Sequence, residues 1–152
     1  MGKRTTIVFN TMGKFFLIFL LFVGFNSNAQ KQDNELEISF QDNFNKDNVS
    51  LKIENCKIFK NQNLTSREIG FAGITVQFFE PNKILVYENG DIILEKKCRL
   101  NLNKEIKLRL KLNGESEVLK INLSNGKFIG INKDYYKEKF KLRQLAIPFE
   151  YE

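Results

Sequence analysis

The residues of this chain whose types and spacing best suit the binding of a partner are basic. Six of them form two triplets at alternate positions: Lys107, Arg109, Lys111 and Lys139, Lys141, Arg143. Alternate side chains of a β-strand project from the same side, so each triplet should form a cationic row. If the two strands are neighbours, the rows form one basic sheet face suited to an acidic glycan, lipid headgroups or an acidic protein surface. The simpler interpretation is a solvated strand surface whose lysines discourage edge aggregation.

Catalytic chemistry finds little support in the sequence. The chain contains no His, which removes the commonest general base and the usual ligand of zinc, copper and iron sites. It also lacks a phosphate-binding glycine loop and a nucleophile elbow. Paired carboxylates can run a hydrolase, and Glu35/Glu37 and Glu115/Glu117 have suitable spacing. The simpler role for both pairs is the solvent side of a strand or a hairpin tip, so we predict a non-catalytic protein without cofactor or metal.

Cys56 and Cys98 are the two cysteines of the chain. An even count in an exported protein favours a disulfide. Cys98 shares the parity of Leu100, and Cys56 shares that of Ile58, so both side chains should point inward. An inter-sheet bridge and two separate buried thiols are both consistent with this pattern.

The elements that must position these residues are strands. Apolar residues alternate with polar ones in five segments and no helical stripe is present, which predicts an all-β sandwich of about eight or nine short strands. The residues predicted to point inward are Leu36, Ile38, Phe40; Val49, Leu51, Ile53; Ala72, Ile74, Val76, Phe78; Ile106, Leu108, Leu110, Leu112; and Phe140, Leu142.

Three Asn-Gly pairs mark turns between these strands, because both residues tolerate positive φ. A two-residue loop at 113–114 would pair Leu112 with Glu115 and bring the apolar residues of both strands to one face. A three-residue loop at 124–126 would then turn Ile129 and Ile131 inward. We therefore expect residues 105–131 to form a three-stranded meander.

The pattern of the whole domain resembles that of small immunoglobulin-like or transthyretin-like sandwiches, although the chain contains no Trp. The resemblance implies a mostly antiparallel sandwich and carries no functional residues with it. We predict one such domain over residues 30–152.

The N-terminal segment reads as a signal helix. The apolar run 15–25 is too short to span a bilayer and suits a secretory signal. Basic residues precede it, and Ser27-Asn28-Ala29 provides a cleavage site between Ala29 and Gln30. We predict a signal peptide over residues 1–29, with translation starting at Met1 or Met12. The alternative is a leader that is retained and anchors a periplasmic protein in the membrane.

Composition and charge suggest the compartment and partners. The abundance of Asn, Lys, Ile and Phe is typical of AT-rich bacterial genomes, so we expect a periplasmic, cell-surface or secreted protein of a Gram-negative bacterium. Residues 96–152 carry fourteen basic and seven acidic groups, whereas residues 30–95 carry seven and eleven. Nucleic acid is not an expected partner, and membrane contact is expected only through the signal segment before cleavage. Tyr135-Tyr136 has the chemistry to stack on a sugar, with packing in a turn as the simpler role.

Overall fold

The structure is a computed structural model that describes residues 34–103 and 105–151. The signal segment, the two candidate start methionines and the Ala29–Gln30 cleavage site lie outside these residues. The described part forms ten strands: β1 (Leu36–Phe40), β2 (Asn45–Ile53), β3 (Cys56–Thr65), β4 (Ile74–Phe79), β5 (Lys83–Glu88), β6 (Asp91–Lys97), β7 (Ile106–Leu112), β8 (Glu115–Ile121), β9 (Phe128–Lys133) and β10 (Phe140–Leu145).

The strands form two sheets packed as a sandwich. One sheet has six strands in the order β10-β9-β1-β4-β5-β6, and the other has four in the order β3-β2-β7-β8. All pairings are antiparallel except that of β1 with β9. The predicted mostly antiparallel sandwich is confirmed, with ten strands rather than eight or nine. Among the described residues, no helix is long and apolar enough to cross a membrane.

Alternation of apolar and polar residues builds the core. In β7 the apolar residues at even positions are buried, whereas the three basic residues between them are exposed. The same alternation in β1, β2 and β4 supplies most of the facing core residues, as predicted. Phe40 lies in the core with its ring centroid 5.7 Å from that of Phe59 on the opposite sheet. Each sheet therefore turns its intervening polar residues outward.

The predicted hairpin register at Asn113-Gly114 is confirmed. Leu112 pairs with Glu115 and Ile106 with Ile121, as the two-residue loop required. Asn113 and Gly114 take φ values of 49° and 105°, the left-handed region that a tight hairpin turn needs. Asn89-Gly90 forms the equivalent turn between β5 and β6.

The predicted meander over residues 105–131 is wrong. β9 leaves β8 and enters the six-stranded sheet between β10 and β1. A short 3₁₀ turn at Leu123–Asn125 carries the chain across, and Asn122 caps it by accepting a hydrogen bond from the Ser124 backbone N–H. Phe128 to Ile131 are all buried, so β9 needs a strand on each side and cover on both faces. Ile129 and Ile131 do point inward, as predicted.

Cys56 and Cys98 form an inter-sheet disulfide, which confirms that alternative. The two Cα atoms are 6.2 Å apart. Cys56 starts the edge strand β3, and Cys98 directly follows β6, an edge strand of the other sheet. The bridge closes one side of the sandwich and should stabilise it by roughly 3–4 kcal/mol on the chain-entropy model. On the opposite side, the Phe140 backbone N–H donates to Glu117 Oε2 at 3.0 Å.

Candidate functional site

The two basic triplets do not form one face. β7 lies in the interior of the four-stranded sheet, whereas β10 is an edge strand of the six-stranded sheet. The prediction of a shared face is wrong because β9 crosses between the sheets and takes β10 with it. Lys107, Arg109 and Lys111 project from the outer side of one sheet, and the β10 triplet belongs to the other.

The outer side of the four-stranded sheet nevertheless forms a larger basic surface than predicted. Its strands all contribute basic side chains, and each of these is exposed or half-exposed. We call this surface the basic face and define it by Lys52, Lys57, Lys60, Lys107, Arg109, Lys111 and Lys120.

Three of these residues form a row across adjacent strands. Lys52 on β2 is the register partner of Lys57 on β3 and of Arg109 on β7. Neighbouring strands are about 4.8 Å apart, so the three charges start from Cα atoms at short, regular spacing. Like charges directly opposite each other on a sheet are destabilising. We call this arrangement the central row.

A β-bulge in β3 aims two lysines at the basic face. The register of β2 and β3 shifts beside Leu51. As a result, two consecutive β3 residues, Ile58 and Phe59, both pack against the core. The residues on either side, Lys57 and Lys60, are both exposed. Bulges re-aim side chains in this way, and here the bulge adds a basic residue to the surface.

A shallow depression of about 250 Å³ lies on the basic face. Five basic residues and one acidic residue, Glu117, contribute to its lining. Short side chains explain the hollow, because Ser50 and Ser116 are the register partners of Lys111 on its two sides. Val118 is 54% exposed and also lines it. The depression thus combines a basic surround with hydroxyl groups and a small apolar contact.

The charges of the central row are not compensated by acids. Within residues 34–103 and 105–151, none of its three members takes part in an ion pair. The acids near the basic face act at its margin instead. Glu105 pairs with Lys120 at 3.0 Å, and Glu54 Oε1 accepts a hydrogen bond from the Lys107 backbone N–H at 2.6 Å.

The β10 triplet is engaged in contacts of its own. Lys141 Nζ lies 3.0 Å from Asp134 Oδ2, and this hydrogen bond lowers the pKa of the Asp134 carboxyl below its usual value. The Arg143 guanidinium lies over the ring of Phe149, 5.6 Å from its centroid. Lys139 is exposed just before the strand. This triplet contributes to the packing of a loop and the C-terminal segment.

The glutamate pairs are placed on different sheets and at separate positions. Glu37 Oε2 on β1 accepts hydrogen bonds from Asn34 Nδ2 and Gln77 Nε2 at 2.7 and 2.8 Å. Glu117 on β8 accepts the bond from Phe140 already described. One member of each pair therefore has a structural hydrogen-bonding role. Among the described residues, no cluster of three His, Cys, Asp or Glu side chains is able to hold a metal ion.

A second charged cluster joins the two sheets at one end of the sandwich. Lys133 Nζ on β9 lies 2.9 Å from Asp47 Oδ1 on β2 and 3.0 Å from Glu138 Oε1. Asn113 Nδ2 donates to both carboxylates. Asp47 is 4% exposed. Here, unlike on the basic face, each charge has partners of opposite sign or hydrogen-bond donors.

These partners set the protonation of the cluster. Burial would raise the pKa of the Asp47 carboxyl, but hydrogen bonds from Asn113 and the Asn45 backbone N–H, together with Lys133, outweigh it and lower that pKa. Burial would lower the pKa of the Lys133 ammonium, but its bonds to Asp47 and Glu138 raise it. Asp47 and Lys133 therefore both keep their charges over a wider pH range than the free groups.

Four members of the basic face, Lys52, Lys57, Lys60 and Lys120, were not among the residues predicted from the sequence. Lys52 was detectable, because it alternates with the buried Leu51 and Ile53 in the same way as the β7 triplet alternates with its own core residues. Lys120 likewise follows from the β7–β8 register. Lys57 and Lys60 depend on the β3 bulge, for which the sequence offers no clear signal.

Comparison with known proteins finds no matching protein family, no matching curated protein and no matching solved structure.

Proposed function

We propose that this chain is an exported, non-catalytic binding module whose basic face binds an acidic polysaccharide. The observation that carries the proposal is the central row, three cations on three adjacent strands with no acid between them. A row of like charges costs stability, so a folded protein gains nothing from it unless an anionic partner offsets the repulsion.

Edge protection does not account for the central row. Lysines discourage strand pairing when they lie on edge strands, and Lys57 on β3 fits that role. Lys52 and Arg109, however, lie on β2 and β7, which have a strand on each side. Their charge has no edge to protect, which favours recognition over simple solvation.

The shape of the face favours a linear polymer over a membrane or a flat protein surface. The depression is concave, whereas a bilayer presents a plane. Membrane binding by a surface also draws on several apolar side chains, and Val118 is the one large exposed hydrophobic residue on this face in the described part of the chain. A polyanion lying across the strands would meet a cation at each step of the central row. Ser50 and Ser116 supply hydroxyl groups beside them.

Export is supported by the signal-like leader and by the Cys56–Cys98 bridge. Disulfides persist in oxidising compartments and are rare in the reducing cytosol. Acidic glycans are common partners outside the cytoplasm, so compartment and surface chemistry agree.

A titration with polygalacturonate at low salt tests the proposal. We expect saturable binding that weakens steeply as salt rises, because exposed charges are screened within about 8–10 Å near physiological ionic strength. Lys52→Glu places a carboxylate between two cations and should abolish binding without loss of stability. The matched reversal Lys97→Glu, on the exposed edge strand β6, should leave binding unchanged.

Other polyanions serve as competitors in the same assay. Phosphatidylglycerol vesicles, poly-glutamate and single-stranded DNA carry the alternative chemistries. Tighter binding to any of these three than to polygalacturonate would contradict the choice of an acidic polysaccharide. If the chain binds none of these polyanions at low salt, the basic face is only a solvated strand surface.

A further inference from the structure

A second concave site lies at the end of the sandwich and shares no lining residue with the basic face. Three loops enclose it: 41–44 between β1 and β2, 66–73 between β3 and β4, and 134–139 between β9 and β10. Its volume is about 540 Å³, which is within the range of small-molecule sites. We call it the end cleft.

Hydrogen bonds hold the three loops in fixed positions. Ser66 Oγ accepts from the Phe44 backbone N–H at 3.0 Å and donates to the Gln41 carbonyl, which joins the first loop to the second. The Lys133 backbone N–H donates to the Asp42 carbonyl at 3.0 Å, which joins the first loop to the end of β9. Asp134 Oδ1 accepts from the Tyr136 backbone N–H at 2.8 Å. The end cleft is therefore formed before any ligand arrives.

Two tyrosines stand at the end cleft with their rings exposed. Tyr135 is 76% exposed and Tyr136 is 87% exposed. Their ring centroids are 5.0 Å apart, with the planes at 81°. Such exposure does not fit the simple packing role that sequence analysis favoured for this pair. Large aromatic surface left in water at the mouth of a cleft is typical of a binding site.

The charges of the end cleft nearly balance, unlike those of the basic face. Three basic and four acidic residues line it. Several of them are already paired, since Lys133 binds Glu138 and Lys141 binds Asp134. A site with aromatic rings, amide and carboxylate oxygens, and little net charge suits a neutral ligand that has both an apolar face and many hydroxyl groups.

A neutral pyranose has this combination. Its C–H face is apolar and can lie on a tyrosine ring, and its hydroxyl groups can donate to Asp42 or Glu68 and accept from Asn43 or Lys137. We infer that the end cleft binds a sugar unit of a neutral oligosaccharide, with Tyr136 as the main stacking surface. This inference does not rest on the basic face, because it invokes different residues and does not depend on charge attraction.

The test uses the full chain and a panel of neutral hexasaccharides built from glucose, mannose, galactose or N-acetylglucosamine. The chain has no Trp, and two of its four tyrosines line the end cleft, so a change in tyrosine fluorescence reports binding. Calorimetry gives the affinity. We expect at least one hexasaccharide to bind at millimolar concentration or below, with an affinity that does not change between low and high salt.

Matched variants locate the binding. Tyr136→Ala should weaken it at least about tenfold, the loss expected for one aromatic stacking contact. Tyr136→Phe keeps the ring and should bind within about twofold of the wild type. Val118→Ala, an exposed apolar residue on the basic face, is the control and should have no effect. Both Tyr136 variants should fold, because the side chain is exposed.

Three results would overturn the inference. The first is that no member of the panel binds at millimolar concentration. The second is that Tyr135→Ala/Tyr136→Ala binds as tightly as the wild type. The third is that affinity falls steeply with salt, which would show that charge and not stacking carries the interaction. Loss of polygalacturonate binding in Lys52→Glu does not affect these outcomes, so the two proposed sites are tested independently.

Discussion

Strands β7 and β10 carry nearly the same sequence signal and occupy opposite structural situations. β7 contains two lysines and one arginine at alternate positions, and Lys139, just before β10, continues the alternation of Lys141 and Arg143. Arg109 of β7 lies beside Lys52 and Lys57, and none of these three forms an ion pair in the described part of the chain. In contrast, β10 directs Lys141 to Asp134 and Arg143 to an aromatic ring. Period-two patterning fixes the side of a strand on which a charge lies, but the neighbouring strands decide whether that charge is free to bind.

The same contrast holds between exposed and buried charge. The central row forms no ion pair in the described part of the chain, whereas Lys133 is paired with Asp47 and Glu138, and the Lys133 and Asp47 side chains are largely buried. We expect changes in the Asp47–Lys133–Glu138 cluster to alter stability and changes in the central row to alter binding.

The largest effect on stability should come from Lys133→Met. This change leaves Asp47 buried without its cation and should destabilise the fold by about 3–5 kcal/mol, as measured by urea unfolding. Lys120→Met removes an exposed pair with Glu105 and should cost less than about 1 kcal/mol. Equal losses in the two variants would show that burial of the cluster does not matter.

Stability should also depend on pH through the same cluster. Because the pKa of Asp47 is lowered on folding, its contribution is complete above the usual value of about 3.8 and is lost as pH falls through the lower folded value. The pKa of Lys133 is raised on folding, so its contribution to stability is complete below the usual value of about 10.5 and is lost as pH rises through the higher folded value. Urea unfolding of Asp47→Asn should show a flatter acid limb than the wild type. If the free energy of unfolding falls equally with decreasing pH in the wild type and in Asp47→Asn, Asp47 does not contribute to the acid dependence.

A smaller effect is expected when the two arginines are compared directly. Arg143→Gln removes the contact with Phe149 and should cost about 0.5–1 kcal/mol. Arg109→Gln relieves repulsion from Lys52 and should leave stability unchanged or raise it by a few tenths of a kcal/mol. The midpoints of thermal or urea unfolding provide the comparison. A loss at Arg109 equal to that at Arg143 would mean that Arg109 has a structural role.

Local features of the fold follow from the sequence because they depend on neighbouring residues. The Asn-Gly turns fix the β7–β8 register, since the apolar residues of both strands must reach one face. The parity of Cys56 and Cys98 similarly brings both to the interior, where a bridge becomes feasible. Short-range chemistry is sufficient in both cases.

Long-range placement does not follow from the same signals. β9 reads as the third strand of a meander, but its burial on both faces is satisfied only between β1 and β10. Gly130 fits there because a Cβ would collide with the side chain of Gln41. Because β10 pairs with β9 in the six-stranded sheet, half of the predicted site lies on another sheet. Two members of the basic face, Lys57 and Lys60, depend on a bulge in β3. Pairing between distant strands is a property of the whole core and not of any one segment.

The most direct test of the account compares two triple variants of matched charge. One is Lys107→Gln/Arg109→Gln/Lys111→Gln on β7, and the other is Lys139→Gln/Lys141→Gln/Arg143→Gln at β10. Each removes two lysines and one arginine, so net charge is the same in both. The affinity for polygalacturonate is measured as a function of salt. The account predicts that the β7 variant loses most of the binding and its salt dependence, whereas the β10 variant retains both. Equal losses in the two variants would contradict it, because binding would then follow net charge and not the basic face.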